Sequence, residues 1–245
     1  MSDRAAAWGV HLYTASGAVV ALLALAAAVR GAYGAAFAWL TVAFILDCTD
    51  GTLARRARVK EVLPYFDGSK LDDIVDYLNY VFVPIAIACL AGLVPDTLGG
   101  MIVAALPLLA SGYGFSHAAA KTPDHFFTGF PSYWNVVVFY LYVLRAPLWF
   151  NVLVLLFLSA MVFVPIRYLY PSRSSTHRLR TYGLAVVWFA LVVALFLQFP
   201  RPSRTLAVAS LFFPAYYVFV SFKTHFSAPP SPSASGDERR AAANP

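Results

Sequence analysis

The sequence predicts an all-α fold, a polytopic membrane helical bundle of about eight transmembrane helices. Hydrophobic residues make up 60% of the 245-residue chain and charged residues only 12%, whereas soluble proteins contain about 25% charged residues. The apolar residues also form repeated runs that are long enough to cross a bilayer, which needs roughly 20 residues per helix. These two observations exclude a soluble globular enzyme, because too few polar side chains are present to cover its surface.

Eight apolar runs are candidate membrane spans, and they occupy residues 10–29, 33–53, 73–94, 99–117, 131–145, 148–169, 181–199 and 204–222. The first run is long and is followed by further spans, so we expect a first membrane helix and no cleaved signal peptide. The fifth run is short and ends at Arg145, which leaves a tilted or interfacial segment as an alternative. Cys48 and Cys89 lie in apolar runs without metal-ligand spacing, and we interpret both as packing residues.

The chain is expected to form one membrane domain followed by a short tail. We place the integral membrane domain at residues 1–225 and a disordered cytoplasmic tail at residues 226–245. The tail sequence SAPPSPSASGDERRAAANP is rich in Ser, Pro and Ala and has no apolar period, which is typical of segments that cannot bury a core.

The basic residues indicate the orientation of the spans. With the N-terminus inside, the cytoplasmic segments carry 14 of the 18 Lys and Arg residues, and the outer segments carry Arg30, Arg145, Arg201 and Arg204. The positive-inside rule therefore places both termini on the cytoplasmic side. The basic residues between 167 and 180 suit anionic lipid headgroups, and we expect membrane lipids, but no nucleic acid, as partners.

Most acidic residues collect between the second and third spans. Asp47 and Asp50 are three residues apart, and Asp72 and Asp76 are four apart, so each pair lies on one face of its helix. Because the two spans run in opposite directions, both pairs return to the cytoplasmic interface. The pattern predicts that four carboxylates converge on one point.

Four carboxylates at membrane depth repel one another strongly and need positive charge nearby. Oxygen-only ligation suits Mg²⁺ or Mn²⁺, and two such cations clamp phosphate oxygens during an in-line displacement. We therefore predict a two-metal site at the four aspartates. Two further acidic residues, Asp67 and Asp73, suit helix capping or ion pairing instead.

The same residues fill a longer motif, D-x2-D-G-x2-A-R followed by G-x3-D-x3-D. Its eight fixed positions are Asp47, Asp50, Gly51, Ala54, Arg55, Gly68, Asp72 and Asp76. This motif resembles the signature of the CDP-alcohol phosphotransferase family, although the gap between Arg55 and Gly68 is longer than in many members. The sequence around the motif resembles the bacterial phosphatidylcholine synthase branch. Two further segments, HLYTASGAVVALLAL and DHFFTGFPSYWNVVVFYLYVL, extend this resemblance over most of residues 8–223.

The resemblance implies a CDP-alcohol phosphotransferase fold in the bacterial inner membrane, commonly as a homodimer, with a cytoplasmic active site. The implied reaction transfers the phosphatidyl group of CDP-diacylglycerol to choline and releases CMP. Carried over by position, Asp47, Asp50 and Asp72 are metal ligands, and Asp76 is both a ligand and the general base. The residues implied to bind the CDP-lipid are Asp50, Gly51, Ala54, Arg55 and Gly68.

The acceptor that the resemblance implies is choline, whose quaternary ammonium has no hydrogen-bond donor and is usually held by aromatic faces or carboxylates. The aromatic candidates near the cytoplasmic side are Tyr77, Tyr80, Phe126, Phe127, Tyr133 and Trp134. In the first span, His11 and Thr14 could meet the nucleotide, and the alternative is that they are interfacial and capping residues.

Other functions stay open from sequence alone. A related enzyme could use serine, glycerol phosphate or inositol phosphate as the acceptor, or CDP-choline as the donor. A divalent-cation carrier is a different class, but carriers place their sites near the membrane midplane and often show two repeats. A non-catalytic CDP-lipid binder would keep the ligands without needing the base at Asp76.

Overall fold

The computed structural model describes residues 3–117, 126–169 and 178–227, and these residues are almost entirely helical. The helices are α1 (Asp3–Val29), α2 (Tyr33–Arg56), α3 (Val59–Val62), α4 (Gly68–Asp76), α5 (Val83–Leu90), α6 (Leu98–Ser116), α7 (Trp134–Val143), α8 (Leu148–Met161), α9 (Arg178–Phe196), α10 (Arg204–Ser210) and α11 (Phe212–Ser227). Two short strands, β1 (Phe126–Thr128) and β2 (Arg167–Leu169), pair antiparallel. Sequence analysis missed this pair.

The chain is a multi-pass membrane protein by the length and composition of its helices. Six helical stretches are long and apolar enough to cross a membrane, namely Asp3–Val29, Tyr33–Arg56, Gly68–Leu90, Leu98–Ser116, Leu179–Phe196 and Arg204–Phe226. The fifth and sixth predicted spans correspond to the shorter apolar helices α7 and α8. The expected helical bundle is confirmed, with two of its elements shorter than predicted.

The predicted sixth span at residues 148–169 is wrong after Met161. Helix α8 ends at Met161, and the chain continues through a non-helical segment into β2. Pro165 lies in that segment, and a proline both lacks an amide hydrogen and disfavours helical backbone at the residue before it. Helix α11 extends to Ser227; residues 228–245, where most of the predicted tail falls, lie outside the described part.

The third span is a composite helix. Helix α4 continues into a π-helical turn at Tyr77–Phe82 and then into α5. Pro84, in the first turn of α5, cannot donate an amide hydrogen to the preceding turn, and π-helical turns accommodate such interruptions and occur often at functional sites. The wide turn changes the direction of the side chains that follow Asp76.

The first helix packs closely against α2 and α4 because its contact face is built from small residues. Ala7, Ala21, Ala24 and Ala28 are all buried, and small residues let membrane helices approach closely. A Cβ atom on Gly17 would lie 2.6 Å from Cγ1 of Val75 in α4. This close contact holds α1 and α4 together.

Helix α9 and the stretch Arg204–Phe226, which contains α10 and most of α11, bury fewer residues than the third span. In the most apolar segment of each, 17% of the residues are buried, compared with 50% in that of Gly68–Leu90. Much of the space between these late helices and α2 and α7 is open. That space forms the main cavity of the protein.

Candidate active site

One cavity of about 2040 Å³ connects the acidic motif with the interior of the bundle. One stripe of α2 lines this cavity, and its residues are Phe37, Leu40, Thr41, Phe44, Asp47, Cys48, Asp50, Gly51, Thr52, Ala54 and Arg55. The stripe is mainly apolar up to Phe44 and mainly polar from Asp47 onward. We call the part around the aspartates the polar half and the part between Phe37 and Phe44 the apolar half.

Three of the four motif aspartates form a compact cluster in the polar half. Asp47, Asp50 and Asp72 each place one carboxylate oxygen within 4.8 Å of the others. Asp76 is not part of this group, but it lines a small cavity together with the other three. The structure therefore brings three predicted ligands together and places the fourth beside them.

Two hydrogen bonds orient the carboxylates of α2. The hydroxyl of Thr14 donates to Oδ2 of the buried Asp50 at 3.0 Å. The phenol of Tyr80 donates to Oδ2 of Asp47 at 2.6 Å. Thr14 therefore positions a site carboxylate, a role that differs from the helix cap considered in the sequence analysis. Tyr80, a predicted choline residue, thus also orients a site carboxylate, because the π-helical turn directs this side chain towards α2.

The cluster is chemically suited to a divalent cation. Like charges within 4.8 Å repel in a membrane-embedded site unless a cation or a proton offsets them. The donor set consists of carboxylate oxygens alone, and Mg²⁺ and Mn²⁺ favour such ligands. Asp47, Asp50 and Asp72 could therefore hold a metal ion.

The two motif glycines have different neighbours. A Cβ atom on Gly68 would lie 2.7 Å from Cε1 of His11, whereas a Cβ on Gly51 would lie 3.4 Å from Nη1 of Arg55. Gly68 thus makes room for a ring of the protein itself. Gly51 presents its bare backbone to the cavity, and Arg55 nearby donates to the Thr52 hydroxyl at 3.0 Å.

His11 is buried in the wall of the polar half. Its ring packs against Phe66 at a centroid distance of 4.4 Å and against Trp8 at 5.9 Å. His11 and Thr14 both line the cavity. Asp67 caps α4 by accepting from the amide of Lys70 at 3.0 Å, as predicted.

The predicted choline residues separate into two groups. Tyr80 and Tyr133 line the cavity, with ring centroids 6.2 Å apart. Tyr77 instead donates to the carbonyl of Leu108 at 2.9 Å, and the buried Trp134 donates to Ser111 at 2.8 Å.

The rings of Tyr77 and Trp134 therefore pack against α6 and are not among the residues that line the described cavity. The side chains of Phe126 and Phe127 lie outside the described part of the structure.

Sequence analysis also missed two tyrosines that extend the aromatic wall. Tyr217 lies 6.1 Å from Tyr133, and Tyr168 stacks on Tyr217 at 6.3 Å. The sequence analysis did not find them because both tyrosines are far from the acidic motif along the chain.

The fold and the carboxylate cluster define a multi-pass membrane protein built around a site suited to divalent cations. The chain is 36% identical to the phosphatidylcholine synthase of Legionella pneumophila, over 89% of this chain and 88% of that protein. It is 38% identical to the phosphatidylcholine synthase of Pseudomonas aeruginosa, over 89% and 90%. For the phosphatidylcholine synthase of Bradyrhizobium diazoefficiens the identity is 40%, over 77% and 70%.

The chain belongs to the phosphatidylcholine synthase family. No family model matches it. No solved structure matches it either.

Proposed function

We propose that this protein transfers the phosphatidyl group of CDP-diacylglycerol to choline, giving phosphatidylcholine and CMP. The observation that carries the proposal is the cluster of Asp47, Asp50 and Asp72 in a chain that matches phosphatidylcholine synthases along most of its length. The cavity supports it as well, because a CDP-lipid needs a polar region for its pyrophosphate and an apolar region for its acyl chains.

The reaction is a substitution at phosphorus. The choline oxygen attacks the phosphorus that carries the diacylglycerol, a new P–O bond forms, and the P–O bond to the CMP leaving group breaks. Asp76 accepts the hydroxyl proton and later releases it to water, a contribution of roughly 10²–10⁴-fold for a general base. When bound, divalent cations supply charge neutralisation on the phosphate oxygens.

The protein contributes the arrangement of these groups before the reaction begins. Asp47, Asp50 and Asp72, with Asp76 beside them, would hold two cations, Mn²⁺ or Mg²⁺. Tyr80 and Thr14 fix the orientation of two of these carboxylates. Such positioning lowers the activation barrier, because the ligand carboxylates need not reorganise as charge develops in the transition state.

The CDP moiety would lie along the cytoplasmic end of α2 and the start of α4. Gly51 and Ala54 allow close approach, and the guanidinium of Arg55 suits a phosphate oxygen. Asp50 and Gly68 complete the set carried over from the motif. His11 and Thr14 line the same wall and add contacts from α1.

Choline would bind where Tyr80 and Tyr133 face the cavity, with Tyr217 beside them. An aromatic face attracts a quaternary ammonium by about 0.5–2 kcal/mol. The proximity of Tyr80 to Asp47 would bring the choline hydroxyl close to the carboxylates.

We place the protein in the bacterial inner membrane with the active site and both termini on the cytoplasmic side. The distribution of Lys and Arg supports this orientation. The proposed membrane domain is residues 1–225, and the protein would form a homodimer, as the family resemblance implies.

Purified protein incubated with CDP-diacylglycerol and a panel of headgroup alcohols would test the function. We expect CMP release with choline in the presence of Mn²⁺ or Mg²⁺, and little release with serine, glycerol phosphate or inositol phosphate. A parallel reaction with CDP-choline and diacylglycerol separates the two donor types. CMP release with another acceptor, or only from CDP-choline, would refute the assignment.

A further inference from the structure

The apolar half of the cavity has a depth that matches one membrane leaflet. From Phe37 to Asp47 the lining stripe of α2 advances ten residues, which is about 15 Å at 1.5 Å per residue. The hydrocarbon core of a bilayer is about 30 Å thick, so one leaflet contributes about 15 Å. The apolar half is therefore about as long as the acyl region of a single lipid.

The walls of the apolar half are hydrocarbon and aromatic groups. A stripe of α9 that includes Ala185, Val192 and Phe196 faces the stripe of α2, and Val136 and Phe139 of α7 lie between them. The same space continues without interruption to the carboxylate cluster. A lipid whose phosphate lies at that cluster can therefore extend an acyl chain into this part of the cavity.

Aromatic rings close the far end of the apolar half in two layers. Phe139 contacts Phe37 and Phe196 at centroid distances of 5.3 and 5.4 Å. Behind them Tyr142 stacks on Phe199 at 6.0 Å, and Phe37 lies 5.5 Å from Tyr142. We call the first layer, consisting of Phe37, Phe139 and Phe196, the aromatic floor.

The second layer gives the aromatic floor little room to move. The ring of Phe199 lies so close to Gly34 that a Cβ atom there would be 2.7 Å from Cδ1. Well-packed aromatic interiors tolerate extra volume poorly. A chain that reached the floor would have to bend or displace these rings in order to extend further.

We propose that the apolar half binds one acyl chain of the phosphatidyl group and that the aromatic floor limits the length of that chain. The inference rests on the proposed function. Because the phosphatidyl group passes unchanged from donor to product, the same fit acts on both lipids. A methylene that fits the pocket should change binding little relative to the bilayer, because lipid tails are as apolar as the pocket walls. A methylene that reaches the floor should weaken binding, because these packed rings tolerate extra volume poorly.

Two variants that move the end of the pocket in opposite directions test the proposal. Phe196→Ala deepens the pocket at the floor, and Leu40→Trp fills it one helical turn closer to the carboxylates. The matched control is Phe219→Ala, because Phe219 is 67% exposed on α11. The assay measures kcat/KM for a series of CDP-diacylglycerols whose acyl chains differ only in length.

We expect the wild-type protein to show a length above which kcat/KM falls. Phe196→Ala should raise the ratio of long-chain to short-chain kcat/KM by roughly fivefold or more, because it relieves the overpacking of a long chain, and Leu40→Trp should lower the ratio by a similar factor. Phe219→Ala should keep the wild-type ratio. Either predicted shift supports the floor as a length limit, even if the other variant fails to fold.

A flat length profile in the wild-type protein would overturn the inference, and this measurement needs no variant. Unchanged ratios in both floor variants would overturn it as well. In either case the proposed function still stands, as long as wild-type protein releases CMP from CDP-diacylglycerol with choline. Absence of that activity at every chain length would count against the proposed function itself.

Discussion

The polar and apolar halves of the cavity share one stripe of α2, yet different interactions hold their walls in place. In the polar half, directional bonds fix single atoms, such as the 2.6 Å bond from Tyr80 to Asp47. In the apolar half, rings such as Phe37 and Phe139 contact one another without hydrogen bonds between them. The polar half should therefore depend on the identity of each residue, whereas the apolar half should depend mainly on its volume and shape.

The same difference appears in the helices that build the two halves. The carboxylate cluster lies on α2 and α4, which α1 holds through close contacts at positions such as Gly17. One wall of the apolar half lies on α9, where few residues are buried. A site held by close helix contacts beside a more exposed wall suits a lipid substrate, because the acyl chain has to enter and leave.

Loss of a ligand carboxylate is the strongest test of the polar half. We expect Asp50→Asn to reduce kcat/KM by about 10³-fold or more, because a weaker ligand set loses several kcal/mol of cation-dependent stabilisation. The residual activity should keep the wild-type preference for acyl length. Asp96→Asn, at an exposed position outside the cavity, is the control and should remain active. Near-normal turnover of the Asp50 variant would show that the carboxylate cluster is not required for catalysis.

Loss of the proposed base should have a comparable or smaller effect. Asp76→Asn keeps the shape of the side chain but cannot accept the choline proton, so we expect kcat to fall by roughly 10²–10⁴-fold. Binding of CDP-diacylglycerol, measured by isothermal titration calorimetry, should change little. A variant that lost lipid binding and turnover together would assign Asp76 to binding in place of proton transfer.

The bond from Tyr80 tests how much the orientation of a carboxylate contributes. Tyr80→Phe keeps the ring and removes the bond to Asp47, and bonds to charged groups contribute about 1.5–3 kcal/mol. We expect about a 10- to 100-fold lower apparent affinity for Mn²⁺, measured from the metal dependence of activity. Tyr140→Phe is the control, since Tyr140 bonds Ser210 and Trp188 away from the aspartates. Equal effects in both variants would indicate general destabilisation.

The two motif glycines should give the smallest effects and should differ in kind. Gly68→Ala places a methyl group against the ring of His11, and such overpacking costs about 1–3 kcal/mol, so the thermal midpoint should fall. Gly51→Ala meets only the end of the Arg55 side chain at 3.4 Å. We expect it to keep the midpoint and to raise KM for CDP-diacylglycerol. A lower thermal midpoint for Gly51→Ala and an unchanged one for Gly68→Ala would contradict the neighbours that the structure gives these two glycines.

Much of the fold followed from apolar run lengths, because a bilayer demands long uninterrupted helices. The runs at α7 and α8 show the limit of that rule. Their composition suits a span, but a break near Pro165 and the β1–β2 pairing shorten α8. Strand pairing between segments far apart in the chain leaves little trace in local composition.

The sequence alone determined the carboxylate motif, because residues three or four apart on a helix must share a face whatever surrounds them. Tertiary structure decided which other side chains reach that face. Tyr80 meets Asp47 through a π-helical turn, and Tyr217 joins the aromatic wall from the other end of the chain. Helical periodicity is a local property, whereas the direction of a ring across a cavity depends on how distant helices pack.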